Sequence, residues 1–207
     1  MSQEGWSRRE LGGAAALLAA VVGLPAAVAM LSKGDQTEAP TDRQRAMMRA
    51  VSQLVVPRTS TPGAGDVGVG DFVILALEHG LDGTRSPAAS DALPPLATAH
   101  LRRDGSLRYL DWLEAELDRA ANGNWLGKPE ARQAALLTKL DADAYAAKSD
   151  HPWKKVKALI LTGYYTSETG GARELHYELT PGRYDPAVAI KPGDRAYSSD
   201  WTAVDFG

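Results

Sequence analysis

The sequence predicts an all-α domain of about five helices that continues into an extended, largely irregular C-terminal arm. Two observations carry this. Apolar residues recur at helical spacing in successive segments between residues 42 and 165, while strand-like alternation is hard to find before residue 174. From Glu174 onward the pattern changes: Pro181, Pro186 and Pro192 block regular structure, and Gly182 and Gly193 sit beside two of them. The expected division is an export segment at 1–29, a linker at 30–41, the helical domain at 42–170 and the arm at 171–207.

Composition narrows the function. The chain has 207 residues, 44% of them hydrophobic, and a formal net charge of -3. That allows a real core and gives no electrostatic footprint for nucleic acid. Cysteine is absent, which rules out disulfides, thiolate-held iron–sulfur clusters and a cysteine nucleophile.

The most specific local signal is at the N-terminus. Ser7-Arg8-Arg9 precedes the uncharged 21-residue stretch Leu11 to Leu31. Arg8 and Arg9 with Leu11 resemble a twin-arginine export signal, although Gly12 departs from the usual second apolar residue. Ala27 and Ala29 read as the small-residue cleavage site, with the cut before Met30. An uncleaved anchor is the alternative, since such a stretch would span about 31 Å as a helix. Its Gly/Ala richness favours cleavage. The expected location is the periplasm, with association to the inner membrane left open.

The helices are justified in order. Thr41 to Gln44 form a capping-box pattern. Ala46, Met47, Ala50, Val51, Leu54 and Val55 then make one stripe, stopped by Pro57. Val69, Phe72, Val73, Ala76 and Leu77 mark a second helix, and Gly80 caps it. Residues 96–103 suit a short helix. Leu107, Leu110, Leu113, Leu117 and Ala120 mark a longer one that ends at Asn122-Gly123. Pro129 opens the next, with Leu136, Leu137, Leu140 and Ala144 inward. The last runs from about Trp153 to Tyr165.

Candidate chemistries are sparse. Gly63-Ala64-Gly65-Asp66-Val67-Gly68 matches the dinucleotide fingerprint, but the segment before it is an amphipathic helix, not a strand. Glycines that permit tight backbone turns are the simpler reading. His79, His100, His151 and His176 form no close pair and offer no metal motif, and Glu114, Glu116 and Asp118 read as a solvated helix face. The stretch Gly163 to Gly171 ends the last helix with Tyr164, Tyr165 and Glu168. It is either a helix end capped by Gly170 or Gly171, with Tyr164 in the core, or a polar patch facing a partner. The arm's aromatic residues, Tyr184 and Trp201 among them, either fold back over the domain or lie on a partner.

Three stretches, Val55 to Val69, Tyr109 to Leu140 and Leu161 to Asp185, together resemble the small subunit of membrane-associated gluconate 2-dehydrogenase, the subunit 3 family. Val55-Val56 stands in place of isoleucines and Thr169 in place of an aliphatic residue. The resemblance implies an accessory chain with no catalytic, cofactor-binding or metal-ligating residues of its own. It implies a large FAD-dependent partner of the glucose–methanol–choline type, export through the twin-arginine translocase and a cytochrome c or similar electron acceptor. Interface roles are then expected for Pro57, Arg58, Thr59, Pro62, Tyr164, Tyr165 and Glu168, and for Tyr184 and Trp201 in the arm. The alternatives are a stand-alone small periplasmic enzyme and a membrane-tethered scaffold protein.

Overall fold

The computed structural model describes residues 39–88, 93–147, 150–177, 187, 189 and 191–198. The chain divides into units Met1–Pro40 and Thr41–Gly207, and the fold below is that of the second. The all-α expectation holds. Six α-helices occur among the described residues: α1 (Asp42–Val55), α2 (Val69–Glu78), the short α3 (Pro95–Thr98), α4 (Tyr109–Ala120), α5 (Glu130–Ala146) and α6 (Pro152–Tyr165). A π-helical turn, Thr169–Glu174, follows α6. It leads into two-residue strands, β1 (His176–Tyr177) and β2 (Tyr197–Ser198), which pair in parallel. No helix among the described residues is long and apolar enough to cross a membrane.

Helix α1 starts where its sequence says it should. The Thr41 side chain accepts from the Gln44 amide at 3.1 Å, and the Gln44 side chain accepts from the Thr41 amide at 3.0 Å. The buried face is rotated from the expected stripe: Met47, Met48 and Val51 are buried, whereas Ala46 is exposed. The cause lies beside the cap. Gln44 also donates to Asp111 at 2.8 Å and Glu114 at 3.1 Å of α4, and Arg43 pairs with Glu114 and Asp118. This ladder turns the Gln44–Met48–Ser52 side of α1 inward. It also corrects the reading of Glu114 and Asp118 as merely solvated, because both are ion-pair partners of another helix.

The loop between α1 and α2 works by close approach. A Cβ on Gly65 would lie 2.6 Å from the Arg49 carbonyl oxygen, and one on Gly70 would lie 2.8 Å from the Arg49 amide nitrogen. Contacts that short do not occur, so both positions require glycine for α2 to reach the backbone of α1. Gly68 enters α2 at φ +79°, where side chains are strained. Helix α2 then meets α6, with Phe72 against Gly163. At the other end of α2, Gly80 takes φ +79° just past the cap residue His79, as expected for a left-handed stop.

Three fully buried tryptophans, Trp112, Trp125 and Trp153, fill the core between the later helices. Leu107 is buried too, but in a bridge to Leu101 rather than in α4. His151 caps α6: its Nδ1 accepts from the Trp153 amide at 3.3 Å, and its ring meets Trp112 edge-on at 5.7 Å.

Burial holds the His151 pKa below its ordinary 6.5, and Lys154 pushes the same way against Glu116 and Asp143. With the folded pKa depressed, the unfolded chain binds the extra proton in the window below 6.5. Stability from this site is therefore complete above pH 6.5 and is lost as pH falls through the folded value. Melting temperature measured from pH 7.5 down to 5 is expected to decline less steeply in His151→Asn, which keeps a capping acceptor, than in the wild type. Equal slopes would contradict the assignment.

Candidate functional site

The two segments singled out from the sequence meet in space. Residues 57–62 leave α1 and pass over the C-terminal end of α6. Pro57, Arg58, Thr59 and Ser60 are exposed, Pro62 is half-buried, and Thr61 is buried. The segment is held from within. The Ala64 amide donates to the Val56 carbonyl at 2.9 Å, and the Thr59 amide donates to the Thr61 carbonyl at 3.0 Å. Arg58 reaches Asp66 at 2.9 Å, and Asp66 also accepts from the Gly63 amide at 3.1 Å. The Arg58 hydrogen bond outweighs partial desolvation and lowers the Asp66 pKa, with Gly63, the Arg58 charge and Gln53 adding in the same direction. The Arg58 side chain is nonetheless 65% exposed and so open to other contacts.

These contacts account for the glycine fingerprint. The Gly63 amide is used by Asp66, and the Val69 amide at the start of α2 donates to the Ala64 carbonyl at 3.1 Å. Gly65 faces the backbone of α1. Gly63 and Gly65 admit the chain's own atoms, and Gly68 serves the left-handed turn into α2.

Beneath the segment stands Tyr164, 1% exposed. Its hydroxyl donates to the Pro62 carbonyl at 3.0 Å. Tyr164 therefore supports the surface from below. Tyr165, 41% exposed, forms the surface itself and meets the Tyr164 ring edge-on at 5.2 Å. Ala158, Leu161 and Tyr165 lie at helical spacing on one exposed side of α6. Glu168 is exposed and pairs with Arg173 across the π-helical turn. Tyr164 and Glu168 thus point to different partners.

The end of α6 differs from the expected glycine cap. Neither Gly170 nor Gly171 takes a positive φ. Gly170 is instead required by packing, since a Cβ there would collide with the Tyr164 carbonyl oxygen. The Ser167 hydroxyl donates to that carbonyl at 2.6 Å and accepts from the Gly170 amide at 3.1 Å. This satisfies groups that a helix end would otherwise leave open.

Two members of the site had no signal in the sequence. Thr61 donates to the Glu174 carboxylate, and its hydroxyl oxygen lies 3.4 Å from the Tyr164 hydroxyl. Both contacts join residues more than a hundred positions apart, beyond the reach of periodicity or local motif. Arg8, Arg9, Ala27, Ala29, Tyr184 and Trp201 lie outside the described residues. No group of three or more His, Asp or Glu side chains placed to hold a metal occurs among the described residues.

Tyr164→Phe removes one hydrogen bond and leaves the Pro62 carbonyl without its donor. A loss of about 1 kcal/mol, read as a melting temperature lower by about 2–4 °C, is expected. An unchanged melting curve would show that this hydroxyl does not hold the segment in place.

A family model described as Gluconate 2-dehydrogenase subunit 3 matches residues 42–182, more than half of the chain, from the first residue of α1 into the arm. No curated protein and no solved structure matches. The matched span contains the 57–62 segment, all six helices and the π-helical turn, and the chain belongs to the gluconate 2-dehydrogenase subunit 3 family.

Proposed function

We infer that this chain is the non-catalytic small subunit of a periplasmic dehydrogenase that acts on sugars, sugar acids or polyols. The catalytic subunit is a large flavoprotein of the glucose–methanol–choline type and holds the FAD. The small subunit assists its folding and carries it through the twin-arginine translocase. Electrons then pass from the flavin to a cytochrome c or a similar acceptor. The observation that carries this reading is the family match across the helical domain.

The geometry supports a docking role. Pro57, Arg58 and Thr59 on the loop, and Tyr165 and Glu168 at the end of α6, are exposed above the Thr61–Tyr164 support. An exposed tyrosine beside a largely open arginine is a favourable composition for a protein contact. Leu161 and Ala158 extend the apolar part of this face along α6. Tyr184 and Trp201 supply further contacts from the arm. The export role follows from Arg8 and Arg9: a large flavoprotein without its own signal leaves the cytoplasm only when bound to a chain that has one.

Replacement of Arg8 and Arg9 by Lys is expected to retain the flavoprotein in the cytoplasm. Undiminished periplasmic dehydrogenase activity in that strain would refute the carrier role. Alanine at Tyr165 and Glu168 together is expected to reduce recovery of the flavoprotein with this chain by roughly ten-fold while shifting its melting temperature little. A large drop in melting temperature with full recovery would return both residues to a purely structural role.

A further inference from the structure

Glu174 belongs to neither the docking loop nor the exposed face of α6, yet it is tied to the loop. The ties follow from counting protons. The Tyr164 hydroxyl has one proton and gives it to the Pro62 carbonyl. The Thr61 hydroxyl has one and gives it to Glu174. Thr59, whose hydroxyl lies 3.3 Å from that of Thr61, is then the donor to Thr61. The result is a one-way chain from Thr59 through Thr61 to the Glu174 carboxylate. Its last link is charge-assisted and lies beside the buried Tyr164, which makes it the strongest link.

Glu174 closes the π-helical turn, and the arm begins immediately after it. The Leu175 amide donates to the Gly170 carbonyl at 3.1 Å, and the His176 amide donates to the Ala196 carbonyl at 2.8 Å. His176 pairs with Tyr197 in the parallel bridge, and their rings meet at 4.8 Å. The place where the arm departs and the place where it returns therefore both lie within a few residues of Glu174.

We propose that the Thr61–Glu174 hydrogen bond is a latch that couples the exposed 57–60 segment to the base of the C-terminal arm, so that the two order together. The coupling is a property of this chain alone. Its consequence, that a partner seated on Pro57–Thr59 also fixes Leu175–Tyr177 at the base of the arm, rests on the docking role inferred above.

Hydrogen exchange on the full chain tests the latch without any partner. Thr61→Val keeps the shape and deletes the hydroxyl, while Thr61→Ser keeps the hydroxyl. Thr61→Val is expected to speed exchange at the Leu175 and His176 amides by about ten-fold, and Thr61→Ser by less than about two-fold. Glu174→Ala, which cuts the same bond from the other end, is expected to speed exchange at the Thr59 amide. Faster exchange confined to residues 59–64 in Thr61→Val would overturn the latch, as would a uniform rise across α1 to α6. Failure of the docking role would show separately, as a chain with the latch intact that retains no flavoprotein.

Discussion

The arrangement depends on one close approach. The backbone of α1 at Arg49 accepts Gly65 and Gly70 at distances that no side chain allows. That contact sets the path of the loop and brings α2 against α1. It leaves Phe72 of α2 to fill the space beside Gly163 of α6. With α6 so placed, Tyr164 lies under Pro62, and the exposed loop and the exposed end of α6 become neighbours. A segment that looks in sequence like a nucleotide cradle is therefore the joint on which the helical domain is assembled. Its glycines serve backbone proximity, and its amides are engaged by Asp66 and Ala64.

What was legible in the sequence was local. The capping box at Thr41 and Gln44, the left-handed stop at Gly80 and the apolar stripe of α5 each follow from residues within one or two turns of each other. The rotation of α1 was not legible, because it is set by Asp111, Glu114 and Asp118 some seventy residues away. The same limit hid Thr61 and Glu174, which read as an ordinary loop hydroxyl and an ordinary charge. The end of α6 misled for a different reason. A helix followed by two glycines reads as a left-handed cap, but a π-helical turn continues there and Gly170 is demanded by the Tyr164 carbonyl.

The site divides into a buried support and an exposed layer. Tyr164 and Thr61 are enclosed, and their hydroxyls are used inside the chain. Arg58, Tyr165 and Glu168 face outward; Arg58 is largely in water against a partly covered Asp66, and both partners of the Glu168–Arg173 pair are largely in water. Exposed ion pairs contribute little to stability. Their value lies in fixing how the surface is presented: Asp66 holds Arg58, and Arg173 holds Glu168. A rigid base beneath a polar and aromatic surface lowers the ordering cost of binding a second protein.

Purification of the complex from its native host through a tag on this chain, followed by flavin absorbance and separation of the subunits, addresses the central claim most directly. The predicted result is a yellow complex in which all of the flavin and all of the sugar-oxidising activity stay with a separate, larger polypeptide. Flavin or turnover that remains with this chain after the subunits are parted would contradict it.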